Sequence, residues 1–137
     1  MNVFFDTNLL VDVLLAREPF VVDSRRAWHL AERGALKGIV SALSFPNVHY
    51  ILCRLRGRQA ATSGLLLVRG IFEPVPLDAQ ILNQAIDAGF EDFEDAIQYF
   101  SARRAGADCI LTRNAAHFPQ SGLLVHTPAE FLAAHRF

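Results

Sequence analysis

Short, dense apolar runs alternate along the chain with longer segments in which apolar residues recur every three or four positions. Asn2-Val3-Phe4-Phe5 is a compact run of the kind that forms a strand covered on both faces. Thr7 to Ala16 carries Leu9, Leu10, Val13 and Leu14 at helical spacing until Glu18-Pro19 breaks it. A second helix is predicted over Asp23 to Arg33, closed by Gly34, and a second strand over Gly38-Ile39-Val40. Ser41 is placed to cap a third helix holding Leu43, Val48, Ile51, Leu52 and Leu55.

Gln59 to Arg69 reads as a helix ended by Gly70. Ile71 to Leu77, with Pro74 and Pro76, reads as an edge strand, since proline cannot donate to a central ladder. Asp78 caps a helix holding Ile81, Leu82, Ala85 and Ile86. Asp92 to Ala105 is the next helix, with Phe93, Ile97 and Phe100 on one face and Gly106 as its stop. Asp108 to Thr112 and Leu123 to Val125 are strands, and Thr127-Pro128 opens a last helix through Ala134. Strand–helix alternation of this kind predicts an α/β fold, with a parallel sheet between two helical layers and sites where strands end and helices begin.

Composition narrows the chemistry. The 137 residues are 52% apolar, enough for one packed core and consistent with a single domain over residues 1–137. A formal net charge of −1 leaves no overall basic field, so any nucleic-acid contact must come from a local patch. The start has no basic n-region, and no apolar run reaches the roughly 18 residues a membrane span needs. Cys53 and Cys109 stand alone in apolar stretches, and the five histidines show no ligand spacing, which argues against zinc. The expectation is a soluble, cytoplasmic domain.

Polar residues just after strands are the candidates for chemistry. Asp6 follows the first strand, Asn114 follows the strand ending at Thr112, and Glu91-Asp92-Phe93-Glu94-Asp95 opens the helix between them. Asp92 and Asp95, three apart, share a helical face, while Glu94 points about 100° away. Two carboxylates about 4 Å apart repel by roughly 4 kcal/mol at an effective dielectric near 20. A convergent cluster therefore takes up a cation or a proton. Oxygen-only ligands select Mg²⁺ or Mn²⁺, ions suited to phosphodiester hydrolysis. Each residue also has a purely structural reading. Asp6 can cap its helix, Asp92 and Asp95 are close to a capping box, and Asn47 and Asn114 are common turn or cap residues. Arg54-Arg56-Arg58 and Arg103-Arg104 are by default solvated faces.

Taken in order, Val3-Phe4-Phe5-Asp6-Thr7-Asn8, Phe93-Glu94-Asp95-Ala96, Leu111-Thr112-Arg113-Asn114 with His117-Phe118, and Thr127-Pro128-Ala129-Glu130-Phe131-Leu132 together resemble a PIN domain. The resemblance spans nearly the whole chain. It implies a three-layer α/β/α fold with a central parallel sheet and a Mg²⁺- or Mn²⁺-dependent ribonuclease. Many small bacterial members are VapC-type toxins held inactive by an antitoxin, and a homodimer is expected. Carried over by position, Asp6 and Asp95 match metal-binding acids, and Asp92 resembles an accessory acid. Two positions depart from the pattern: Asn47 stands nearest where the family usually has glutamate, and Asn114 where it often has aspartate. Fewer formal charges imply weaker metal binding.

The resulting expectation is a metal-dependent endoribonuclease. Asp6, Asp92 and Asp95 hold the ion, and Asn114 and Asn47 orient waters. Thr7, Asn8 and Thr112 tie down the loops, and Arg113 with the Arg54–Arg58 segment contacts phosphate of single-stranded or looped RNA. The two asparagines motivate a rival, a PIN-fold module that binds RNA or protein without cutting. A haloacid-dehalogenase-type phosphatase also places an aspartate after its first strand. It ranks low, because Asn8 replaces the second aspartate of Asp-x-Asp and Lys37 is the only lysine.

Overall fold

The computed structural model describes residues 1–119 and 122–137. Five strands form one parallel sheet in the order β3-β2-β1-β4-β5. They are β1 (Asn2–Phe5), β2 (Lys37–Ser41), β3 (Glu73–Val75), β4 (Cys109–Leu111) and β5 (Leu124–His126). The described helices are α1 (Thr7–Leu14), α2 (Val21–Glu32), α3 (Ser44–Arg56), α4 (Arg58–Ile71), α5 (Ala79–Ala88), α6 (Phe93–Arg104) and α7 (Pro128–Ala134). None of them is long and apolar enough to cross a membrane.

The strands explain the three layers. Along β1, Val3 and Phe5 enter the core beneath α1–α4 and α7, while Phe4 enters the core beneath α5 and α6. In β4, Cys109 and Leu111 face the first core and Ile110 the second; Val40 and Ile39 divide the same way in β2. Side chains of a strand alternate between faces, so a sheet covered on both sides needs an unbroken apolar run. That is the three-layer α/β/α arrangement the sequence predicts. Proline-containing β3 lies at the edge, as expected.

Chain order places the site. From central β1 the chain moves outward through β2 to β3, then returns to lay β4 against the other side of β1. The switch in winding direction falls between β1 and β4, with Phe5 beside Leu111. Crossovers leave in opposite directions there, which opens a crevice at the carboxyl ends of these two strands. Asp6 and Thr112 are the next residues on each.

Capping agrees in large part with expectation. Asp78 accepts the Ile81 N–H at 3.0 Å, and Thr127 and Glu130 form a reciprocal capping box at α7. Three local expectations are corrected. Ser41 ends β2 and accepts the Leu43 N–H at 3.1 Å, so it stabilises a turn, and α3 begins at Ser44 without a side-chain cap. Gly70 stays inside α4, because the helix is closed by Phe72, whose extended backbone leads into β3. Phe93 is 47% exposed, since it starts α6 at the crevice rim, whereas Ile97 and Phe100 reach the second core.

Candidate active site

Asp6 is the N-cap of α1 and only 5% exposed. Its backbone N–H extends the β1–β4 ladder to the Leu111 carbonyl at 2.9 Å. One carboxylate oxygen, Oδ1, accepts the Thr7 N–H at 2.7 Å. The other, Oδ2, accepts the Thr112 hydroxyl at 2.7 Å and lies 3.4 Å from the Asn8 side-chain amide. The capping reading is therefore correct as far as it goes. It does not use up the residue, because the carboxyl also lines a cleft of about 410 Å³ shared with Asp92, Glu94 and Asp95.

Asp6 and Asp95 line the same cleft, and the charge of Asp95 acts on Asp6. Burial pushes the Asp6 carboxyl from 3.8 up to about 6, against the hydrogen bond from Thr112; the negative charges of Asp95 and Glu94 add to the rise, while the Thr7 N–H opposes it. Asp95 is also raised, by burial and by Asp92, with His117 opposing at 3.5 Å from Oδ2. Glu94 is raised by burial and by Asp92, with the Asn47 amide opposing. Distant parts of the chain thus bring several mutually repelling carboxyls to one rim.

A polar frame fixes this rim. Thr7 Oγ1 accepts from Gln98 Nε2 at 2.9 Å and is hydrogen-bonded to Ser44 Oγ at 2.7 Å, tying α1 to α6 and α3. The Thr112 hydroxyl donates to Asp6 and accepts the Asn114 N–H at 3.1 Å. Asn47 donates its side-chain amide to Glu94 Oε1. The buried oxygens Asn8 Oδ1 and Gln98 Oε1 have no hydrogen-bond partner. Replacing Thr112 by Val removes a charge-directed hydrogen bond, a class worth about 1.5–3 kcal/mol. Asp6 in Thr112→Val is expected to titrate above the wild-type value, as followed by its carboxyl carbon chemical shift. An unchanged midpoint would mean that this hydroxyl does not govern Asp6.

Several placements differ from expectation. Asp92 lies before the helix as the N-cap of α6, accepting the Asp95 N–H at 3.1 Å, though its side chain still lines the cleft. Glu94, expected to point away, lines the cleft, because the first turn of α6 overhangs the rim. Arg113 does not line it. Its Nε lies 2.7 Å from Oδ2 of the fully buried Asp12, and its guanidinium stacks 4.2 Å from the centre of the Phe20 ring. Arg104 pairs with Asp78 at 2.8 Å, which supports its structural reading.

Gln98, Ser44, Tyr50, Arg17 and Asp12 were not anticipated. Gln98 follows Asp95 by three residues, a spacing that signals a shared face. Tyr50 stands in the same relation to Asn47. Asp12 is a lone carboxylate in an apolar helix, which calls for a cation from elsewhere in the fold.

The donor set is carboxylate, amide and hydroxyl oxygen, the chemistry of a hard divalent ion. Among the described residues, no group of three or more histidine, cysteine, aspartate or glutamate side chains forms a ready-made metal cage. Cys109 is no candidate nucleophile: it is fully buried in β4, and burial with the nearby Asp108 charge pushes its thiol to about 12.

Comparison with known proteins agrees with the fold. A family model for the PIN domain matches residues 2–116. Ribonuclease VapC1 of Aquifex aeolicus (strain VF5) is 28% identical over 135 residues, covering 95% of this chain and 92% of that protein. The crystal structure of Mycobacterium tuberculosis VapC20, a toxin that cleaves the sarcin–ricin loop, superposes with a TM-score of 0.67 at 16% identity, covering 79% of this chain and 86% of that one. A toxin–antitoxin complex from Klebsiella pneumoniae superposes with a TM-score of 0.67 at 21% identity, over 92% and 97% of the two chains.

Proposed function

The chain belongs to the PIN domain family, and from that premise we propose that it is a Mg²⁺- or Mn²⁺-dependent endoribonuclease of VapC type. The observation that carries this reading is the buried Asp6 at the β1–β4 switch point, electrostatically coupled to Asp95 and Glu94. Such a cluster gains most from a cation. Likeness to Ribonuclease VapC1 supports the same substrate class.

The residues present fit a divalent ion. Mg²⁺ is commonly bound through one or two carboxylates, with water completing its shell, so Asp6 and Asp95 suffice as direct ligands. Asp92 and Glu94 add charge around them. When bound, the ion supplies positive charge against the developing charge on phosphate and lowers the pKa of water. The protein's own part is orientation and proton transfer. Thr112 and the Thr7 N–H hold both oxygens of Asp6 in place. Thr7, Ser44 and Gln98 keep α1, α3 and α6 in register around the cleft. Glu94, held above the usual carboxylate range with Oε1 engaged by Asn47, is suited to accept a proton from the attacking water on Oε2. Asn114 offers a neutral side-chain amide at the rim.

The reading extends to partners. RNA is the substrate, and a small antitoxin protein restrains the chain, in line with the Klebsiella complex. A homodimer working in the cytoplasm completes it. The test is cleavage of single-stranded RNA by purified, partner-free protein in millimolar Mn²⁺ and in excess chelator. Cleavage in the first condition alone is expected. Equal cleavage in both contradicts the metal role, and binding without cleavage in either returns the chain to the rival role of a binding module.

A further inference from the structure

The cleft that draws in a polyanion is itself acidic. Four carboxylates line it, and among the described residues Arg17 is the one cation that does. Arg17 lies in the loop after α1 and shares Asp12 with Arg113. The Arg113 ion pair is close, at 2.7 Å, whereas Arg17 Nη1 stands 4.0 Å from the other oxygen. One carboxylate between two guanidiniums leaves a positive surplus, and it falls on the more loosely held and more exposed of the two, Arg17.

A second feature begins at the same rim. Asn47, Tyr50, Ile51 and Arg54 recur at positions i, i+3, i+4 and i+7 of α3, so they form one stripe. It starts where Asn47 meets Glu94 and ends about 10 Å farther along the helix at Arg54. Tyr50 lines the cleft yet is 60% exposed. Its ring is steadied by Arg54, whose Nη1 donates to the hydroxyl at 3.1 Å and whose guanidinium carbon lies 5.8 Å from the ring centre. A steadied, exposed aromatic ring beside a cation is the equipment of a base-stacking platform.

We propose that Tyr50, Arg54 and Arg17 form the track that seats single-stranded RNA across the carboxylates, with a base stacked on Tyr50 and phosphates held by Arg54 and Arg17. The inference rests on the ribonuclease reading and names the form of its substrate. Paired RNA is excluded from the platform, because its bases are already stacked on both faces. Arg17 lines the cleft together with the acids and Arg54 stands at the far end of the α3 stripe, so the backbone is held at two separate points.

Two measurements on each variant test this. The first is anisotropy of a labelled single-stranded oligoribonucleotide in chelator; the second is cleavage of the same oligonucleotide in Mn²⁺. Tyr50→Ala is expected to bind about 10-fold more weakly, with the loss appearing in KM. Tyr50→Phe keeps the ring and is expected to bind within about twofold of wild type, which separates stacking from the hydroxyl contact. Arg17→Gln is expected to lower the slope of log affinity against log salt by about 1. A fully paired version of the oligonucleotide is expected to show no Tyr50 dependence. If wild type cuts RNA and Tyr50→Ala cuts and binds equally well, the track is wrong while the ribonuclease reading stands, and the stripe passes to a protein partner. Equal losses in Tyr50→Phe and Tyr50→Ala, or failure of wild type to bind, also overturn it. Tyr50-dependent binding with no cleavage would instead sink the ribonuclease reading and leave the track in place.

Discussion

Asp6→Asn is expected to abolish RNA cleavage and, without divalent ions, to make the protein more stable. Loss of a direct metal ligand removes several kcal/mol of transition-state stabilisation, a fall of about 10³-fold or more in kcat/KM. The gain in stability follows from linkage. The Asp6 carboxyl rises from 3.8 to about 6 on folding, chiefly through burial. Both states are protonated below about 3.8, and no penalty exists there. As pH climbs from about 4 to 6 the unfolded chain ionises first, so stability falls, and above 6 the deficit levels off at about 3 kcal/mol. An asparagine carries no charge to bury. Asp6→Asn is therefore expected to lose this contribution to the decline and to unfold with about 1–3 kcal/mol more resistance at pH 7, read from denaturant midpoints in chelator. A variant that is inactive and also less stable would indicate that Asp6 serves mainly as a helix cap.

The second large effect lies behind the cleft. Asp12→Ala leaves Arg113 and Arg17 without their shared carboxylate, and breaking a buried pair from one side commonly costs about 3–5 kcal/mol. Asp12 is fully buried but its partners are partly exposed, and burial holds its carboxyl above the usual range despite both arginines. The expected loss is accordingly about 2–4 kcal/mol by denaturant unfolding. Asp12→Asn keeps the shape without the charge and is expected to fall between. Activity is expected to decline in both, because Arg113 adjoins Asn114 and anchors the loop after β4. A change below about 0.5 kcal/mol would show that the arginines are content in solvent and that this network does not brace the site.

The legible parts of this molecule were those in which a local pattern has one physical solution. An unbroken apolar triplet, Val3–Phe5, has to be covered on both faces, and β1 forms over the predicted Asn2–Phe5. Thr127, Pro128 and Glu130 each have a defined place at a helix start, and α7 opens there. Asp6 was legible as a candidate because sites occur at strand ends, and Asp95 because an acidic run opens the helix between Asp6 and Asn114. What was lost depended on how elements overhang one another. Helical phase alone sends Glu94 away from Asp92, but Asp92 precedes the helix and the first turn of α6 leans over the crevice, so the phase argument starts from the wrong residue. Arg113 follows a strand, a common place for a phosphate ligand, yet the deciding fact is the buried carboxylate of Asp12, about a hundred positions away in the chain. Gly70 likewise carries a stop signal that tertiary packing of α4 overrides.

The nuclease reading requires Asp6 and Asp95 to share one divalent ion. Calorimetric titration of Mn²⁺ into the purified chain, beside Asp6→Asn and Asp95→Asn, tests it most directly. One site per wild-type chain, lost in each variant while both remain folded, is the predicted result. No uptake at millimolar Mn²⁺, or uptake that survives in either variant, contradicts it.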